Sequence, residues 1–279
     1  MADRLLTLPR SHFGNVAVVN GDIAASAITN PKVSDDTIRP GKLNRRYLFE
    51  EFLHEPVTAK RQGGAATGAT GDRNQALFPE TAFEWHVKGA GQTILAPVLT
   101  ATGWDISLDQ TSTEGIELTN GILSRCPVAF TVGTDAAFAF AAKLKVEDAS
   151  GCNPLVIGFR KAEAYQATVA AYADYAAIGI IGTANPNTIK TTTEAAGAGN
   201  TDTDTTNTWA DAATKTLKVL VSAAGVVTYQ IGGVAPTVVA AFSFTAADVV
   251  VPFLFFLHAA DVAGVVELIS WEVGFQADA

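Results

Sequence analysis

Residues 215–231 read Lys-Thr-Leu-Lys-Val-Leu-Val-Ser-Ala-Ala-Gly-Val-Val-Thr-Tyr-Gln-Ile, and this stretch decides the fold. Leu217, Val219 and Val221 recur at every second position, the period of a strand with one face buried. After Ser222-Ala223-Ala224-Gly225 a second β-rich run covers Val226 to Ile231, so the two runs form a hairpin, with Gly225 supplying the positive φ of its turn. Working outward, the same alternation runs through Ala137 to Val146. Apolar β-rich runs occupy Leu155–Phe159 and Ala177–Ile181, and two late strands cover Val250–Leu257 and Val265–Phe275. Ala162 to Ala177, with Tyr165, Val169, Tyr172 and Tyr175, reads as a strand despite its alanines. The polar run from Thr191 to Thr208 is expected as a long exposed loop. Many short strands, repeated turns and no alternating helices predict an all-β chain, an antiparallel β-sandwich of jelly-roll type.

The chain is long enough for a sizeable core, with 279 residues, 48% of them hydrophobic and only 17% charged. Its mean hydropathy of +0.21 is far from that of a disordered chain. The longest apolar stretch, Val249 to Ala260, is broken by Pro252 and His258 and falls short of a membrane span. A net charge of −9 gives no general attraction for nucleic-acid phosphates, so neither membrane nor direct nucleic-acid partners are expected. The beginning, Met1 to Pro9, lacks the pattern of a secretion signal. Cys126 and Cys152 read as two reduced, mostly buried thiols rather than a disulfide framework.

Two compositional parts are visible. Residues 61–74, from Arg61 to Asn74, lack large apolar side chains and are rich in Gly, Ala and Thr, which reads as a linker. Trp85, Trp104, Trp209 and Trp271 all follow it, placing one core in residues 75–279. In residues 1–60, apolar side chains fall at Phe13, Val18, Ile23, Ile28, Val33, Ile38, Leu43, Leu48 and Leu53, a spacing of five that fits neither helix nor strand. The favoured reading is an extended arm that inserts one side chain per pentad into sister chains or another partner, at a repeat of up to about 17 Å. Two alternatives stay open: coincidence joined to a short amphipathic helix over Arg45–His54, and a compact coil resembling pentapeptide-repeat proteins.

Residue chemistry offers little for catalysis. Glu114 and Glu117 lie three apart and Glu267 and Glu272 five apart, so in unbroken strands each pair would face opposite sides; all four are expected as surface carboxylates. Ser124-Arg125-Cys126-Pro127 lacks nucleophile-elbow glycines, His86 and His258 read as structural, and Gly63–Gly71 lacks a phosphate-loop ending. Asp202, Asp204 and Asp211 are a faint calcium candidate. Trp104, Trp209 and Tyr229 are expected in the core, with a sugar platform as the alternative. The expectation is a chain that is not an enzyme and has neither cofactor nor metal.

The order of strands in Phe140–Phe159, Tyr175–Ile181, Lys215–Gly233 and Pro252–Phe275 resembles the concanavalin A-like or laminin-G-like sandwich. The run Asp22-Ile-Ala-Ala-Ser-Ala-Ile-Thr29, Lys32-Val-Ser-Asp-Asp-Thr-Ile38 and Gly41-Lys-Leu43 resembles the degenerate repeats of tailed-bacteriophage fibre and head-decoration proteins. That second resemblance implies a virion component, assembled in the host cytoplasm and usually a homotrimer. Its arm would attach to the major capsid protein and its β-rich part would project outwards from the capsid surface. Capsid decoration, or cement, is the first functional expectation. A receptor-binding tail fibre or carbohydrate-binding module is the alternative, and a glycoside hydrolase comes third.

Overall fold

The computed structural model describes residues 48–51, 58–59, 73–77, 82–88, 97–107, 112–120, 128–182, 187–261 and 264–276. The chain divides into two units, Met1–Leu43 and Asn44–Ala279, and every described residue lies in the second. Its strands are β1 (Leu48–Glu51), β2 (Thr58–Ala59), β3 (Arg73–Leu77), β4 (Ala82–Lys88), β5 (Val98–Leu99) and β6 (Trp104–Asp105). Then come β7 (Gly115–Thr119), β8 (Phe130–Thr131), β9 (Phe138–Val146), β10 (Cys152–Lys161), β11 (Tyr175–Ile180) and β12 (Thr188–Glu194). The last are β13 (Thr201–Thr208), β14 (Thr214–Val221), β15 (Val227–Ile231), β16 (Val249–His258) and β17 (Val266–Phe275).

The strands form two antiparallel sheets. A seven-stranded sheet runs β15-β14-β9-β17-β6-β5, with β1 also on β17. A ten-stranded sheet runs β13-β12-β11-β10-β16-β7-β4-β3-β2, with β8 also on β16. Alternation explains how they meet. Phe138, Phe140, Ala142 and Leu144 of β9 and Leu217, Val219 and Val221 of β14 face Leu155, Ile157 and Phe159 of β10 and Leu254 and Phe256 of β16 in one core. Phe138 stacks on Phe130 at 4.3 Å and meets Phe159 edge-on at 5.0 Å, tying the sheets together. Trp104, Trp209 and Trp271 are fully buried and Tyr229 nearly so, which removes Trp104, Trp209 and Tyr229 from any surface sugar platform. The antiparallel sandwich read from the alternation is therefore the fold observed, and the hairpin of β14 and β15 is in place. Gly225 has φ +88°, and a Cβ there would sit 2.5 Å from the Phe244 carbonyl oxygen. Among the described residues no helix is long and apolar enough to cross a membrane.

Several local expectations are corrected. Thr191–Thr208 is not a loop: β12 and β13 pair there, because threonine is β-branched and suits a pleated ladder, leaving only the glycine-bearing turn of residues 195–200. Ala162–Asp174 is not a strand. Apart from one short 3-10 turn at Val169–Ala171 it is irregular, and it lays Val169 and Tyr172 against Val156, Phe253 and Phe255 on the outer face of the ten-stranded sheet. The strand starts only at Tyr175. In β17 a register shift between Leu268 and Ser270 adds one residue, so Leu268 and Trp271 both point inward and Glu267 and Glu272 share the outer face. Leu48 of β1 stands opposite Val273, and Arg73 and Asn74 of β3 pair with His86 and Trp85 of β4. Phe13, Val18, Ile23, Ile28, Val33, Ile38, Leu43 and Leu53 of the five-residue pattern, and Cys126, lie outside the described residues.

Candidate functional site

The outer face of the ten-stranded sheet carries a charged cluster. Since Ile116 and Leu118 of β7 point into the core, Glu117 between them points out, and cross-strand pairing sets His86 of β4 and Phe255 of β16 beside it. Arg160 follows inward Phe159 on β10 in the same way. Its Nε donates to Glu117 Oε1 at 2.9 Å, with both side chains fully buried. Lys88 Nζ lies 2.8 Å from Glu117 Oε2, and the Tyr172 hydroxyl donates to the same oxygen at 2.6 Å. These positions overturn the expectation of surface carboxylates: Glu117 is fully buried, and Glu114 and Glu267 are also buried.

The segment after β10 closes over this cluster. Lys88 donates to the Gln166 carbonyl at 2.6 Å, and Arg160 Nη1 to the Lys161 carbonyl at 3.1 Å. The guanidinium lies 4.6 Å from the Tyr172 ring centroid and 5.3 Å from that of Tyr165, whose ring packs against His86. Lys161 braces the segment's base through Asp248 at 2.8 Å and Asp174 at 3.6 Å. Burial lowers the Lys88 pKa against the opposing pull of Glu117. Burial, and then the Glu117 charge, raise that of Tyr172. Both carboxylate oxygens are engaged by protein groups, so the arrangement holds Ala162–Asp174 in place.

Two further clusters read as structural. Asp105 accepts from the backbone N–H and the hydroxyl of Ser107, while His258 Nε2 meets the Ser107 carbonyl at 2.6 Å. The residue types match a Ser-His-Asp set, but the imidazole contacts the carbonyl and the hydroxyl faces the carboxylate, which ties the end of β6 to β16. Glu267 accepts from Thr100 at 2.6 Å, Thr102 at 2.7 Å and Lys145 at 2.8 Å. Burial alone would raise its pKa, yet these hydrogen bonds prevail and hold it below the ordinary carboxylate value. Asp202 and Asp204 are exposed on β13, while Asp211 accepts from the Ala149 N–H. The three are not brought together, and among the described residues no group of three or more His, Cys, Asp or Glu is placed to hold a metal.

The outer face of the seven-stranded sheet has an open depression of about 450 Å³. Register builds it from two rows crossing β14, β9 and β17: Leu220–Ala139–Gly274 and Lys218–Ala141–Glu272. Small residues make the floor and longer ones the walls, and Phe275, whose ring packs against the core, and Gln276 also line it. The sequence signal for it was the alanine at alternate positions of β9, visible only once the register was known.

No known protein family matches the chain, and no curated protein matches it. Among solved structures, similarity extends to a protein of unknown function from Shewanella oneidensis MR-1, at 13% identity over 84% of this chain and 89% of that one, TM-score 0.45. The Emp47p carbohydrate recognition domain is similar at 10% identity, over 69% of this chain and 89% of that one, TM-score 0.42. The VIP36 exoplasmic/lumenal domain in its Ca²⁺/Man3GlcNAc-bound form is similar at 12% identity, over 70% of this chain and 84% of that one, TM-score 0.44.

The buried phenols and thiol predict alkaline instability. Burial pushes Cys152 up to about 12 and Tyr175 up to about 12, and raises Tyr172 and Tyr229 in the same direction. These acids are harder to ionise folded than unfolded, so their contribution is full below the unfolded values of 9.0 and 10.0 and is lost as pH rises through the folded ones. Lys88 has the opposite sign but is one group against four. The urea midpoint is expected to fall steadily above about pH 10, with tyrosinate absorbance at about 295 nm appearing in step with unfolding. Full tyrosine ionisation in the folded protein would contradict the burial.

Proposed function

We propose that this chain is a non-catalytic carbohydrate-binding β-sandwich. The observation that carries the reading is the contrast between the two outer sheet faces. On the ten-stranded sheet, the carboxylate of Glu117 has both oxygens bonded to Arg160, Lys88 and Tyr172 beneath a covering segment, so Glu117 is not free to flank a glycosidic bond. On the seven-stranded sheet, an open trough with polar walls presents the shallow, hydrated kind of surface on which sugars are held without being enclosed. A full-chain glycan array, run beside a reducing-end release assay on the retained glycans, tests this. The expected result is retention of a subset of glycans, no product, and no loss of binding in EDTA. Cleavage that a Glu117→Gln variant abolishes, or retention of no glycan, would overturn the reading.

A second reading concerns the N-terminal part and rests on the five-residue apolar spacing and the repeat-like run from Asp22 to Leu43. Here the arm attaches the sandwich to a virion, either as a capsid decoration protein on the major capsid protein or as a homotrimeric receptor-binding fibre. Each aliphatic anchor buried in a partner contributes roughly 1.5–3 kcal/mol before ordering costs. Replacing Ile23, Ile28 and Ile38 with Ser is expected to abolish co-sedimentation with particles lacking the native copy, while substitutions at Ala25, Ser34 and Asp35 preserve it. Equal retention of the triple variant and the parent would refute an anchoring arm.

A further inference from the structure

In the outer trough of the seven-stranded sheet, Lys218 and Glu272 stand on opposite walls, each directly beside Ala141 in the cross-strand register. Two strand spacings separate their backbones, about 10 Å, which is wide enough for one pyranose ring between the side chains. Ala139 and Ala141 offer methyl groups as a floor, and Gly274 offers backbone alone. Leu220 continues the apolar surface on the Lys218 wall.

These walls discriminate between ligand chemistries. An ammonium can only donate hydrogen bonds and a carboxylate can only accept them. A neutral sugar satisfies both at once, because each hydroxyl both donates and accepts, while its C–H face rests on the alanine methyls. A phosphate, sulfate or carboxylate group would gain from Lys218 but be repelled by Glu272, and a cation would meet the reverse. We infer that this trough is the sugar site and that its ligand is an uncharged hexose unit, held between Lys218 and Glu272 over Ala139 and Ala141. The inference rests on the carbohydrate-binding reading and adds the place and the charge class of the ligand.

The test uses the full chain and isothermal titration with cellotriose, maltotriose and mannotriose as neutral probes and sialyllactose as the anionic one. At least one neutral trisaccharide is expected to bind, and sialyllactose more weakly. Lys218→Ala and Glu272→Ala should each weaken that binding about tenfold, the loss expected for one hydrogen bond to a charged group. Ala141→Trp, which fills the floor from the outward side, should abolish it. Asp204→Ala, on β13 of the other sheet, should leave it unchanged, and the two exposed-wall variants keep the test valid should the tryptophan variant fail to fold. Neutral binding that survives Lys218→Ala and Glu272→Ala would overturn this site while leaving the carbohydrate reading intact. Tighter binding of sialyllactose would overturn the uncharged-ligand inference, and binding of no saccharide would overturn both.

Discussion

A carboxylate buried on the outside of a sheet must be answered by charge and hydrogen bonds, and Glu117 imposes that constraint here. Arg160, Lys88 and Tyr172 all converge on it. Lys88 lies on the adjoining strand β4 and Arg160 on β10, beyond β16, but Tyr172 belongs to the irregular segment between β10 and β11. Satisfying Glu117 therefore fixes the path of Ala162–Asp174, and that path covers Phe253, Phe255 and Val156. The middle of the ten-stranded sheet is left with an apolar core on one face and a covered polar and aromatic layer on the other. The trough of Ala139, Ala141 and Gly274 lies on the outer face of the seven-stranded sheet.

What the sequence disclosed follows from which facts are local. The alternation of β9 and β14 and the turn glycine at position 225 are local, and they suffice for two packed antiparallel sheets. Glu117 is legible as lying opposite in face to Ile116 and Leu118. Its burial is not, because that depends on a segment more than forty residues later folding back over it. Glu267 and Glu272 mislead for another reason: one inserted residue in β17 reverses a parity that spacing alone predicts. Thr191–Thr208 misleads through composition, since threonine and aspartate together suggest solvent, yet Thr191 and Thr205 are fully buried. The trough required register, as Ala139 and Ala141 become a floor only when Lys218 and Glu272 are known to flank them.

The two parts of the chain obey different physics. The sandwich closes its own core, with aromatic contacts bridging the sheets. The five-residue apolar spacing from Phe13 to Ile38 lies outside the described residues, and it enters the functional reading only as a proposed anchor for an external partner. A sandwich that recognises sugars and an arm that attaches it to a larger assembly are compatible roles for one chain.

The central claim, that the Glu117 cluster is a structural lock rather than a solvated or catalytic carboxylate, is tested most directly by urea unfolding of Glu117→Ala beside the apolar replacement Glu117→Leu/Arg160→Met/Lys88→Met. Removing the carboxylate alone leaves two buried cations without their anion, and a loss of about 3–5 kcal/mol is predicted, with most of it recovered in the triple replacement. A Glu117→Ala variant within about 0.5 kcal/mol of the parent, the range of an ordinary surface substitution, would contradict the account.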